Sequence, residues 1–343
     1  MNKISQLYDE KFVMQYFKKR LLYLYPEFSG IKKIKIHGIK NHIWEHTYHV
    51  VVEYDTFFIA KDGKIKKINI YCSAHTNEQR RNVYDALKFL WSKGFNKGNL
   101  TIPHPLFYSQ RFRGIFYRGC RGNNLYHYIY NEKIEEAKKI TALSAGWFAK
   151  LHKLKTDGAR NFNRRNSLVK TTIPGAKHWQ SSIKGRHPKF YGITKKIFDI
   201  INKEEKTFLR STKKRWLIHG DAHPENIIKM SDNKIGVIDF TDMCLADFAR
   251  DIGGFMQQLE YMAERHFKNK NDVIEIKKIF LQEYLKVAKI ELSDELKRRI
   301  NTYYNWAALR TVIFFLIKEH SEPDRARVLL EKIKENMSIK SEP

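Results

Sequence analysis

Residues 216–254 limit what this chain can fold into more than any other stretch. They read WLIHGDAHPENIIKMSDNKIGVIDFTDMCLADFARDIGG. The apolar runs at 216–218 and 235–238 have the length of buried strands. Between them lies His219-Gly220-Asp221-Ala222-His223-Pro224-Glu225-Asn226, and Asp239-Phe240 follows the second. An Asp closing one apolar segment, an Asn five residues on and an Asp closing the next can converge three side-chain oxygens on one point. Oxygen ligands suit Mg²⁺, which keeps several waters and is completed by substrate phosphates.

Phosphoryl transfer needs that metal and an Asp that orients the attacking hydroxyl and accepts its proton. The spacing from Asp221 to Asn226 is that of a kinase catalytic loop, and Asp239-Phe240 after an apolar run is that of its metal-binding pair. His-Gly-Asp-x-His-x-x-Asn followed by Ile-Asp-Phe resembles the aminoglycoside phosphotransferase and choline kinase superfamily. The resemblance implies an α+β, bilobal, protein-kinase-like fold, with a small antiparallel β lobe and a larger, mainly helical lobe. It implies ATP and Mg²⁺, with Asp221 as catalytic base, His219 supporting the loop, His223 as an orienting group, and Asn226 and Asp239 as metal ligands. Asp247 and Asp251 match the family's Asp-x-x-x-Asp and are expected to tie the loop to the large lobe; Asp242 is expected in a structural turn.

A chain of 343 residues accommodates such a bilobal unit. With 42% hydrophobic and 13% aromatic residues it is globular rather than disordered. Cys72, Cys120 and Cys244 fall at unrelated spacings, neither a disulfide framework nor a zinc site, as expected in a reducing compartment. The N-terminal residues lack the apolar core of a signal peptide, and no apolar run is long enough to span a bilayer. The expectation is a soluble, cytoplasmic protein with no transmembrane segment.

Along the chain, apolar residues at helical spacing over 5–28 predict an N-terminal helix ending before Pro26, in an extension covering 1–30. Alternating runs over 31–72, with a turn at Asp62-Gly63, predict strands of a small lobe spanning 31–118. A phosphate-covering loop is expected near residues 38–45, where Gly38 is the lone glycine. A helix is expected over 76–93, stopped by Gly94. By resemblance its Glu pairs with a strand lysine that anchors ATP phosphates. Here the pattern is broken, because Asn69 stands where the lysine belongs. Lys67, two residues earlier on the same strand face, is the expected substitute, with Arg80 and Arg81 as alternatives; Glu78 is the expected helix partner and Asp85 a poorer one. Tyr117, Arg118 and Gly119 resemble the hinge that holds adenine.

A large lobe over 119–338 includes a helix with Phe148-Ala149-Lys150-Leu151-His152, in which His152 is expected to pack rather than react. Residues 160–196 carry ten Lys or Arg and no Asp or Glu, and are expected to form an irregular basic insertion with short helices. Helices are expected over 255–335 and a frayed tail over 336–343. A net charge of +27 suits an anionic partner at 160–196, or a solvated lysine-rich surface. Two functions compete. One is an ATP- and Mg²⁺-dependent phosphotransferase acting on a hydroxyl of a neutral or anionic small molecule. The other is a catalytically weak kinase fold that binds nucleic acid or anionic membrane through the basic region.

Overall fold

The computed structural model describes residues 2–78, 80–156 and 159–339. The part of the expected tail that falls in 340–343 lies outside them. The chain forms two compact units: 1–121 with 236–241, and 122–235 with 242–343.

The first unit is built on a long antiparallel sheet. Strands β1 (Phe28–Ile43), β2 (Tyr48–Ala60) and β3 (Ile65–His75) are followed by helix α2 (Arg81–Leu90), the two-residue β4 (Leu100–Thr101), β5 (His104–Ser109) and β6 (Gly114–Arg118). The sheet order is β1-β2-β3-β6-β5. Strand β2 shows why one face is buried. Val50, Val52, Tyr54, Thr56 and Phe58 are buried in alternation, which leaves Glu53 and Asp55 on the opposite face. Helix α1 (Glu10–Leu21) covers the buried face with Val13, Phe17 and Leu21, and Phe17 meets Tyr54 edge to face at 5.0 Å.

The N-terminal helix is shorter than its sequence pattern. Lys3–Tyr8 forms a separate 3₁₀ turn, because the Asp9 carboxylate accepts the Phe12 N–H at 2.7 Å and starts α1 anew. Strand β1 runs to Ile43, so Gly38 sits inside the sheet opposite Val52 and the turn falls at 44–47. The expected loop at 38–45 is therefore mostly strand. Helix α2 starts at Arg81 rather than at residue 76. Gly94, at φ +90, ends the turn that follows it, as expected.

The second unit is mainly helical. It contains the two-residue strand β7 (Asn123–Asn124), α3 (Leu125–Tyr130), α4 (Ile134–His152), α5 (Ala176–Arg186), α6 (Pro188–Ser211), β8 (Trp216–Ile218), β9 (Ile227–Ser231), the start of β10 (Lys234–Val237), β11 (Cys244–Ala246), α7 (Ala249–Ala263), α8 (Lys270–Ala288), α9 (Asp294–Ile317) and α10 (Pro323–Asn336). Strand β8 pairs with β11, Ile218 opposite Cys244, which fixes the origin of the loop at 219–226. The basic stretch is more regular than expected. A 24-residue helix takes up its end, with Thr194, Ile197, Phe198 and Ile201 buried on one side. The Arg186 guanidinium donates to the Ile317 and Lys318 carbonyls, so part of this charge closes the C-terminal end of α9.

Candidate active site

The loop after β8 is held from beneath by one buried carboxylate. His219 N–H donates to Asp251 Oδ2 at 2.7 Å and Gly220 N–H donates to Asp251 Oδ1 at 2.9 Å. Asp251 Oδ2 also lies 3.1 Å from His152 Nε2, and His152 Nδ1 lies 2.9 Å from the Tyr284 hydroxyl. Burial raises the Asp251 carboxyl, but the bond from His152, the nearby imidazoles and the Gly220 amide outweigh it and hold the group below the usual carboxylate range. His152 is thus a packing and hydrogen-bonding residue, and Asp251 ties the loop to α7. Asp247 does a parallel job, with the Arg299 guanidinium donating to both of its oxygens at 3.0 and 3.1 Å.

Gly220 adopts φ +85, and a Cβ there would collide with the Asp242 carbonyl oxygen. A side chain would push the next residue, Asp221, off its position. The His219 imidazole is fully buried, with Trp147 and Phe148 edge-on at 6.1 and 6.5 Å. It supports the loop from the core.

Asp221 faces outward. Its Oδ1 lies 3.7 Å from Arg310 Nη1 and its Oδ2 lies 3.6 Å from His223 Nε2. Burial raises this carboxyl as well, and His223 and Arg310 more than reverse that, so it stays well below the usual range. Both separations exceed a hydrogen bond, so the effect on Asp221 is electrostatic. Asn226 Nδ2 donates to the Asp221 carbonyl at 3.0 Å and approaches His223 Nε2 at 3.0 Å. The structure therefore brings together Asp221, His223 and Asn226, as the motif predicts. A pocket of about 530 Å³ opens at Asp221, lined by 172–174 and by helices α7 and α9. Arg310 sits on α9 far from the motif, and no sequence signal marks it.

In the first unit Asp239 takes φ +60, a conformation that Asp tolerates better than most residues. Its Oδ1 accepts from the Thr241 amide and hydroxyl, at 3.3 and 2.7 Å. Arg80 Nη1 donates to the same Thr241 hydroxyl at 2.9 Å and to Glu78 at 3.2 Å. Arg80 is buried, at 7% exposure. Glu78, expected on the helix, lies in the turn before it, where its N–H donates to His75 Nδ1. Arg81 is exposed and pairs with Asp85 at 3.0 Å.

The face of β3 that carries Asn69 is acidic. Asn69 Nδ2 donates to Glu53 at 2.5 Å and to Asp55 at 2.7 Å, and the Tyr71 hydroxyl donates to Glu53 at 2.8 Å. Lys67 does point to this face, and Asp55 holds it at 2.7 Å. Glu53 and Asp55 alternate with the buried residues of β2, so the strand pattern puts them on this face. Of the hinge residues, Tyr117 stacks on Tyr71 at 5.7 Å, Gly119 abuts the Tyr71 ring so closely that a Cβ would overlap it, and Arg118 ends β6 opposite Ile70.

A profile described as the phosphotransferase enzyme family matches residues 44–268, which is most of the chain and all of the loop at 219–226. The chain belongs to that family. Its fold is the protein-kinase-like fold shared by aminoglycoside phosphotransferases and choline kinases. A choline kinase from Cryptosporidium parvum superposes with a TM-score of 0.61 at 13% identity, covering 96% of this chain and 95% of its own. An ethanolamine kinase from Plasmodium vivax gives 0.54 at 16% identity, covering 88% and 81%. An aminoglycoside phosphotransferase solved with GDP and kanamycin gives 0.55 at 13% identity, covering 94% and 99%. No curated protein sequence matches the chain. The family member is a phosphotransferase with kinase relatives that use nucleotides. Among the described residues no helix is long and apolar enough to cross a membrane. Neither the family nor the relatives support the nucleic-acid or membrane-binding alternative.

Proposed function

We propose that this family member transfers the γ-phosphoryl group of ATP to a hydroxyl of a neutral or anionic small molecule. The observation that carries the reading is the outward-facing, ionised Asp221 on a loop fixed by Asp251 at the mouth of the pocket. In the transfer the acceptor oxygen forms a bond to the γ-phosphorus, and the bond from that phosphorus to the bridging oxygen breaks. ADP leaves with the electron pair, and the acceptor proton passes to Asp221. Asp221 orients the hydroxyl, and its low pKa keeps it ready to accept a hydrogen bond across the physiological range.

Bound Mg²⁺ would neutralise charge on the phosphates. The chain offers Asn226 Oδ1 and Asp239 Oδ2, since Asn226 Nδ2 and Asp239 Oδ1 are already hydrogen-bonded. Both are hard oxygen donors, which fits this ion. Of the three basic candidates for the missing strand lysine, Arg80 is the one we assign to the phosphates. It is buried and linked to Asp239 through Thr241, although it also pairs with Glu78; Lys67 is tied to Asp55, and Arg81 is exposed and tied to Asp85. Tyr117, Arg118 and Gly119 remain the assigned hinge.

The test is ADP release with a panel of hydroxyl acceptors. Asp221→Asn keeps the shape and removes the charge, and turnover is expected to fall by at least about 10³-fold. Near-normal turnover in that variant would refute the assignment of Asp221.

A further inference from the structure

Resting on the phosphotransferase reading, we infer that the acceptor carries a carboxylate or phosphate group, held by Arg310 and Arg265 while its hydroxyl faces Asp221. The pocket lies wholly within the second unit and its charge is lopsided. Five cationic side chains line it, those of Arg250, Arg265, Arg310, Lys318 and Arg325, against the carboxylates of Asp221 and Asp251.

Several of these charges are engaged elsewhere. Asp251 turns inward to the loop amides and His152. Arg250 is buried and donates to the Asn166 carbonyl. Lys318 and Arg325 both pair with Glu322. Arg310 and Arg265 remain. Among the described residues the acidic partner of Arg310 is Asp221, at 3.7 Å, and Arg265 has a ring contact with Tyr261 at 5.7 Å but no ion pair. One guanidinium, that of Arg265, is therefore without an ion pair among the described residues, and that of Arg310 is met by Asp221 at 3.7 Å, beyond a hydrogen bond.

An ammonium group brought to about 4 Å from either would meet a repulsion on the order of 4 kcal/mol at an effective dielectric constant of 20. A planar carboxylate or a phosphate ester matches the guanidinium fork with two parallel hydrogen bonds. The apolar part of the pocket, with Trp306 and Phe315, suits the carbon skeleton of a polyol or sugar. Cationic acceptors such as aminoglycosides or choline are disfavoured on the same ground.

The experiment measures binding to the full chain by calorimetry, using glucose 6-phosphate, gluconate, neutral glucose and cationic glucosamine as probes, with Mg-ATP titrated separately. At least one anionic probe is expected to bind at least about tenfold more tightly than glucose or glucosamine. Which of the two binds tells phosphate from carboxylate. Arg265→Gln and Arg310→Gln should each lose about tenfold of that affinity, and Arg265→Gln should shift Mg-ATP affinity by less than about threefold. The proposal is overturned if neither anion binds wild type at about 20 mM, if glucosamine binds better, or if both variants bind the anion as wild type does. Failure of wild type to bind Mg-ATP would count against the phosphotransferase reading, while the anion preference is read out independently of nucleotide.

Discussion

The loop that carries Asp221 and the sheet face that carries Asn69 both hold charged groups in place, by opposite means. Under the loop a single buried carboxylate, Asp251, receives two backbone amides and an imidazole, so the negative charge is fully engaged and the backbone is fixed. On the sheet two carboxylates, Glu53 and Asp55, are bridged by the amide of Asn69 and balanced by Lys67. The first arrangement leaves a second carboxylate, Asp221, facing outward beside His223 and Arg310. The second engages Lys67 with Asp55, and in the same unit Arg80, which bridges Glu78 and Thr241, is the cation we assign to the phosphates.

The largest expected effect comes from breaking the loop's support. Asp251→Ala strands His152 and two amides in the interior, and should lower stability by about 3–5 kcal/mol in urea unfolding, with loss of turnover. Unchanged stability would mean that the buried carboxylate is not what frames the loop. Next comes the anchor. Arg80→Met should weaken Mg-ATP binding by about 10- to 100-fold, because a hydrogen bond to a charged group contributes about 1.5–3 kcal/mol. Lys67→Met should cost less than about threefold. If the Lys67 variant is the weaker binder, the phosphate anchor belongs on the strand after all.

The smallest effect concerns Glu205, which accepts the Val169 N–H at 3.0 Å and faces Arg250 and Tyr303. Burial raises its pKa from 4.5 to about 7. Between those values the unfolded chain ionises this group and the folded chain does not. Its contribution is therefore fully present below 4.5 and is lost as pH rises through about 7. Glu205→Gln should flatten that part of the stability-pH profile, as followed by thermal unfolding. An unaltered slope would show that Glu205 ionises as freely folded as unfolded.

The same two regions show what the sequence discloses. The loop was legible because its parts are local. His219, Asp221, Asn226 and Asp239 fall within one stretch of chain, and their spacing is the motif. The tie that Asp251 makes to the loop is what the resemblance to the family's Asp-x-x-x-Asp implies. The strands and the α+β kinase-like fold followed from alternation and from the family resemblance. The anchor was less legible because its context is three-dimensional. Asn69 announced the departure, but choosing among Lys67, Arg80 and Arg81 needed the Asp55 and Asp85 pairings. Arg310 reaches Asp221 from a helix 89 positions on, which no local pattern reports. The extent of α6 was hidden because its many lysines masked a buried face at helical spacing.

The most direct test of the account is calorimetric titration of ATP, with and without Mg²⁺, on wild type and Asp239→Ala. Binding by wild type is expected to depend on Mg²⁺ and to weaken at least about tenfold in the variant. Equal affinity with and without the metal, or no binding by wild type under either condition, would contradict it.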